Sequence, residues 1–181
     1  MTNGWSTPID EAVAEAAGSV RSQTLTVVMR TVTEMNGLFG AFIFALGVVT
    51  TLLLTRRYRE ALYMTATTVG ASLLFGVIKH AVARPRPLHG IIEQAGYSFP
   101  SGHATMSAAM AFGMYYLALG LHSPHPLRRI VLVGAVVWSG LIGISRVYLG
   151  VHWASDVCAG WALGYAWATL MFVVLFRVNG R

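Results

Sequence analysis

Charge is what this sequence has least of: Asp, Glu, Lys and Arg make up 11% of its 181 residues, whereas 55% are hydrophobic. A mean hydropathy of +0.60 and long stretches without an ionisable side chain exclude an ordinary soluble core and place the chain among integral membrane proteins. Cysteine occurs once, at Cys158, which excludes an internal disulfide and reads as a small buried hydrophobe. Lysine also occurs once, at Lys79. A formal charge of +6 and a pI near 10.0 would suggest nucleic acid in a soluble protein. No basic run with interleaved aromatics stands in a polar context, however, so no nucleic-acid partner is expected. The first residues do not read as a signal peptide, because Asp10, Glu11 and Glu15 stand where a basic and then apolar segment would be required.

Five apolar runs are readable: Asn36 to Thr55, Ala61 to Ile78, Ala104 to Leu121, Ile130 to Ser145 and Val157 to Phe176. Each is near the length that crosses about 30 Å of hydrocarbon as a helix. The predicted fold is therefore all-α, an integral membrane bundle of about five transmembrane helices over residues 36–181, preceded by an amphipathic helix region at 1–35. In that first region Thr7 can cap, Pro8 suits the first helical position, and Asp10 and Glu11 fit the first turn. Ile9, Val13, Ala16 and Val20 make one apolar stripe, which would lie at the membrane interface or pack on the bundle. Arg56, Arg57 and Arg59, then Arg128 and Arg129, then Arg177 and Arg181, mark three places on one side. Arginine-rich short loops face the cytoplasm, so the Lys79 to His103 loop and the Arg146 to His152 turn should face outward. Tyr97, Tyr148, Trp153 and Trp5 fit an interfacial aromatic belt. Gly160 and Gly164 would let the last run pack closely on a neighbour.

Ionisable groups gathered where membrane segments end mark a functional site, because charge near hydrocarbon is expensive. His152 and Asp156 are four apart, so on a helix they share a face. The carboxylate can then bond one ring N–H, fix the tautomer and leave the other nitrogen free to attack. Pro100-Ser101-Gly102-His103 precedes an apolar run, so its free N–H groups and the helix dipole form an anion site. There Gly102 allows close approach, Ser101 caps or donates a hydroxyl, and His103 can protonate a leaving oxygen. Lys79, Arg84, Arg86 and Arg146 supply counter-charge for a phosphoryl group. A zinc cage from His103, His152 and Asp156 with His80 or His89 is the competing reading. Each cation about 5.5 Å from a divalent ion would oppose it by about 6 kcal/mol at an effective dielectric of about 20. Neither a metal nor a cofactor is expected.

Lys79 with six residues before Arg86-Pro87, then Pro100-Ser101-Gly102-His103, then Ser145-Arg146 with five residues before His152 and three more before Asp156, resembles the type 2 phosphatidic acid phosphatase family over roughly residues 36–176. That resemblance implies a metal-independent lipid phosphatase with a phosphohistidine intermediate, His152 as nucleophile, Asp156 as its orienting partner and His103 as general acid. Lys79, Arg86, Ser101, Gly102 and Arg146 would hold phosphate, and Arg84, outside the core spacing, is an additional contact to phosphate or headgroup. Membrane members of the family usually show six spans, where this sequence shows five and an amphipathic helix. The expected substrate is a lipid phosphate in the bilayer, foremost a polyprenyl (undecaprenyl) diphosphate or phosphatidylglycerol phosphate, with phosphatidic acid or lipid A phosphate as alternatives. The expected place is a bacterial inner membrane with the site on the extracytoplasmic side. A vanadate-dependent haloperoxidase shares the anion pocket but is soluble. A non-catalytic lipid-binding or transport protein is the other rival, although no repeated halves are present.

Overall fold

A computed structural model of the chain describes residues 5–178; Arg181, counted above among the cytoplasmic cations, lies outside them. Every regular element among the described residues is helical. The N-terminal region forms two helices rather than the single one expected. Helix α1 (Pro8–Ser19) opens on a reciprocal capping box in which Thr7 Oγ1 accepts from Asp10 N at 3.1 Å and Asp10 Oδ2 accepts from Thr7 N at 3.2 Å. Helix α2 (Gln23–Met35) starts afresh because Ser22 caps the Leu25 N–H. Arg21, in the break, donates to Tyr148 O at 3.0 Å and His89 O at 3.3 Å, pinning the joint to the bundle.

The polarity of α1 is the reverse of a helix that packs its apolar side inward. Ile9, Val13, Ala16 and Val20 are all exposed, while Asp10 is buried against the bundle. The helix packs on the bundle through its Asp10 side, the second of the two placements expected, but with its apolar stripe facing away from the bundle.

The five predicted runs are the helices α3 (Leu38–Leu54), α4 (Tyr58–Val82), α5 (Gly102–Gly120), α6 (His125–Tyr148) and α7 (Ala154–Phe172), the last continued by a π-helical turn, Val173–Val178. By length and apolarity α4, α6 and α7 with its continuation can each cross a membrane, and α2 with α3, bent by 41°, counts as a fourth if the pair is one span, which makes three or four candidate spans among the described residues against the five expected. Helix α5 is the central rod, packed against α4, α6 and α7. Its inward faces carry small residues, Ala104, Thr105, Ser107, Ala108 and Ala109, which let its neighbours come close. At one end Arg59 donates to the Leu175 carbonyl and sits 4.7 Å over the Phe176 ring, joining the start of α4 to the end of α7. A core of Leu52, Ala61, Tyr63, Met64 and Leu117 closes the same end. The phosphate motifs lie at the other.

Cys158 faces outward on α7 and is exposed, which corrects its reading as a buried residue. The aromatic belt holds only in part. Trp5 and Tyr97 are exposed, but Tyr148 and Trp153 are buried, with the Tyr148 hydroxyl bonded to Ser22 N and Thr26. The Gly160 and Gly164 pair does mark a close approach. A Cβ on Gly160 would stand 2.7 Å from Ser101 O, and one on Gly164 would overlap the Thr105 carbonyl. Gly164→Ala should therefore force α5 and α7 apart and destabilise the fold by about 1–3 kcal/mol. Gly140→Ala, where a Cβ meets nothing within 4 Å, should be neutral. Thermal denaturation in detergent compares the two; equal midpoints would refute the close packing.

Candidate active site

Six of the predicted site residues, Lys79, Arg86, Gly102, His103, Arg146 and His152, line one cavity of 420 Å³. They reach it from the end of α4, the loop after it, the start of α5, the end of α6 and the turn before α7. The remaining wall is mainly apolar, with Ala41 and Phe42 from α3, Val69 and Phe75 from α4 and Met106 from α5, interrupted by Asn36, Thr68, Ser72 and Gln94. A second, more polar cavity of 710 Å³ reaches His103 and Arg146 from the side of Arg30, Glu34 and Glu93. The site thus adjoins an apolar wall on one side and a polar opening on the other.

His152 sits in the turn between α6 and α7. That turn is made by Gly150 at φ 70°, where a Cβ would meet Arg21 Nη2 at 2.7 Å and His89 O at 2.8 Å. Its Nε2 lies 3.2 Å from Arg86 Nη1. A guanidinium only donates, so Nε2 must carry the lone pair and Nδ1 the proton. Nδ1 faces Asp156 Oδ2 at 3.5 Å, an ion-pair distance rather than a formed hydrogen bond; such contacts tighten when substrate is bound. Burial pushes the His152 imidazole down to about 4, the Asp156 contact opposes the fall, and Arg146 and Arg86 add to it. The ring is therefore neutral at pH 7.

Asp156 is fully buried behind the imidazole. Its Oδ2 accepts from Trp153 N at 2.9 Å and its Oδ1 from Arg84 Nη1 at 2.6 Å. The backbone joins in, since Ser101 N–H donates to the Asp156 carbonyl at 3.0 Å. This single bond couples the start of α5 to the start of α7. Ser101 itself is buried with its Oγ on Ala104 N, so it serves as the helix cap and does not line the cavity.

The cations are pre-oriented by loop carbonyls. Arg86 donates to Ala95 O and Gly96 O at 3.0 Å each and to Val151 O at 2.8 Å, while Lys79 Nζ donates to Tyr97 O at 2.6 Å. Arg146 is buried, with Nη1 on Thr33 Oγ1 at 3.0 Å and Nη2 on Gln94 Oε1 at 2.8 Å. Asn36 Nδ2 holds the His103 carbonyl at 3.1 Å. Thr33, Asn36 and Gln94 escaped the sequence reading. They are ordinary polar residues: the docking of α2 and its C-terminal end brings Thr33 and Asn36 to the site, and the fold of the long loop brings Gln94.

Arg84 is placed differently from the phosphate or headgroup contact expected of it. It does not line the cavity. It is buried on the far side of Asp156, where Asp156, Ser155, Asp10 and the Trp5 carbonyl occupy its terminal nitrogens. Among the described residues no group of three or more His, Cys, Asp or Glu side chains is arranged to hold a metal ion.

A helical membrane bundle that gathers these cations around a neutral imidazole, with an apolar wall beside them, defines a membrane lipid phosphatase. The chain belongs to the PAP2 superfamily, whose family model matches residues 60–179. It is 34% identical to phosphatidylglycerophosphatase B of Bacillus subtilis over 86% of this chain and 77% of that one. It is also 34% identical to an undecaprenyl-diphosphatase of Sulfolobus acidocaldarius, over 67% of this chain and 58% of the other. The crystal structure of a transmembrane PAP2-type phosphatidylglycerolphosphate phosphatase from Bacillus subtilis superposes with a TM-score of 0.80 at 30% identity, covering 90% of this chain and 82% of that one.

The depressed His152 pKa has a directional consequence. An unfolded imidazole at its ordinary 6.5 binds a proton that the folded one refuses until about 4, so acid destabilises the fold as pH drops through that window. Histidine-selective NMR in micelles should show one imidazole, missing in His152→Ala, that titrates near pH 4. A midpoint near 6.5 would contradict the burial argument.

Proposed function

We propose that the chain hydrolyses a phosphomonoester or diphosphate of a membrane lipid without a metal ion, through a phosphohistidine at His152. The observation that carries this reading is the position of His152 Nε2, 3.2 Å from Arg86 Nη1, in the cavity shared with Lys79, His103 and Arg146; the donor-only guanidinium assigns the lone pair to Nε2. In the first half-reaction Nε2 attacks phosphorus in line and the phosphorus–oxygen bond to the lipid breaks. His103 protonates the departing oxygen. Lys79, Arg86 and Arg146, with the N-terminal N–H groups of α5 at Gly102, hold the equatorial oxygens as charge spreads over them. Asp156 stabilises the imidazolium, and Ser101 acts by fixing the helix start rather than by touching phosphate.

In the second half-reaction His103 takes a proton from water, the water oxygen bonds phosphorus, and the phosphorus–nitrogen bond breaks with its electrons returning to Nε2. The apolar wall formed by Phe42, Val69 and Phe75 suits the lipid chain, and the polar opening by Arg30 and Glu34 suits entry of water and exit of phosphate. A polyprenyl (undecaprenyl) diphosphate or phosphatidylglycerol phosphate is the preferred substrate, a choice supported by the activities for which the relatives are named. The arginines at the opposite end, Arg56, Arg57, Arg59, Arg128 and Arg129, support an extracytoplasmic site in a bacterial inner membrane.

The test is release of inorganic phosphate from a panel of lipid phosphates in detergent with EDTA present. Turnover should persist in EDTA and fall by on the order of 10⁴-fold or more in His152→Ala. Activity that returns only with an added divalent ion would remove the metal-free mechanism, and full turnover by His152→Ala would remove the nucleophile.

A further inference from the structure

We propose that Asp10, on the N-terminal helix α1, is a positioning residue for the hydrolysis, acting through Arg84 to fix the Asp156 carboxylate that orients His152. The inference rests on the reading of His152 as nucleophile. Asp10 and Asp156 are both buried, and the Arg84 guanidinium stands between them. Its fork is divided: Nη1 donates to Asp156 Oδ1 at 2.6 Å and Nη2 to Asp10 Oδ2 at 2.9 Å. Ser155 closes the ring, accepting from Arg84 Nη1 at 2.7 Å and donating through Oγ to Asp10 Oδ2 at 2.8 Å. The Ser155 N–H also donates to Asp10 Oδ1 at 2.9 Å, so a carboxylate from α1 caps the first turn of α7. Burial favours the neutral acid, but bonds from Ser155, Arg84 and Thr7 outweigh it and hold Asp10 down to about 2. The group stays an anion throughout the working pH range.

The arrangement does two things for the reaction. First, a guanidinium free to turn takes a carboxylate with both nitrogens at once. Asp10 holds one of those nitrogens, so Arg84 engages only Oδ1 of Asp156 and leaves Oδ2 facing His152 Nδ1. Second, two carboxylates about one guanidinium leave a single negative charge behind the imidazole, where positive charge develops as Nε2 bonds phosphorus. Without Asp10 that charge is cancelled. Neither Asp10 nor Arg84 lines the cavity, so the effect belongs to turnover rather than to substrate binding.

Steady-state kinetics of the full-length protein in micelles, with phosphatidylglycerol phosphate and undecaprenyl diphosphate as probes, test this. Asp10→Ala should lower kcat by about 10–100-fold with KM within about twofold of wild type, a split that loosened packing alone would not give. Asp10→Glu, which keeps the charge, should recover part of the loss. Glu11→Gln, on the same helix and away from Arg84, should leave both constants unchanged. Ser155→Ala, which removes one link of the ring without stranding a charge, should lower kcat by about fivefold at constant KM, and it decides the matter if Asp10→Ala does not fold. The proposal is overturned if kcat of Asp10→Ala and Ser155→Ala stays within twofold of wild type, if the loss falls on KM, or if Asp10→Glu is no better than Asp10→Ala. A wild type that releases no phosphate overturns the functional reading as well. A wild type that is active and loses activity in His152→Ala, beside an unimpaired Asp10→Ala, removes this inference alone.

Discussion

One backbone hydrogen bond, from Ser101 N–H to the Asp156 carbonyl, holds together the parts of the sequence that make the site. It forms only because α5 and α7 approach at backbone distance, along Gly160 and Gly164 against Ser101, Ala104, Thr105, Ala108 and Ala109. Helix α5 brings His103 and a helix N-terminus; α7 brings Asp156, and the turn leading into it brings His152. In a membrane such contact is set by side-chain size rather than by hydrophobicity, since lipid is as apolar as the helices. Small residues on facing helices thus fix the distance on which the catalytic geometry depends.

Charge is arranged in two layers about His152. In front stand Lys79, Arg86 and Arg146 around the cavity, oriented by carbonyls of residues 95–97 and 151 and by Thr33 and Gln94. Behind stand Asp156, Arg84 and Asp10. In the proposed mechanism the front layer attracts a phosphate dianion and the rear layer stabilises the imidazolium that attack by His152 would form. Burial keeps the imidazole neutral between them at pH 7.

The helices are legible because each apolar run is longer than a soluble core requires: the runs at 36–55, 61–78, 104–121, 130–145 and 157–176 lie on helices except at a few end residues, although only three or four candidate spans result. The candidate site is legible because its spacing is local: Ser101 caps its own helix, and His152, although it lies in the turn just before α7 and not on the helix face expected, stands 3.5 Å from Asp156 in the first turn. What escaped depends on docking. Asp10 meets Arg84 across 74 residues of chain, a contact no periodicity announces. The apolar stripe on α1 drew attention to the face turned away from the protein, while the single buried acid on its other side tied that helix to the site. Arg84 reads as a phosphate contact because it is a cation two residues from Arg86, yet its guanidinium pairs with Asp156 and Asp10 while that of Arg86 lies against His152 Nε2 in the cavity.

The central claim is that His152 forms a bond to phosphorus. Rapid quenching of the enzyme with ³²P-labelled lipid phosphate, followed by peptide mapping, tests it most directly. The account predicts an acid-labile, alkali-stable phosphoryl group on the peptide containing His152. Turnover with solvent oxygen delivered straight to phosphorus and no labelled enzyme at any quench time, or a label on another residue, would contradict it.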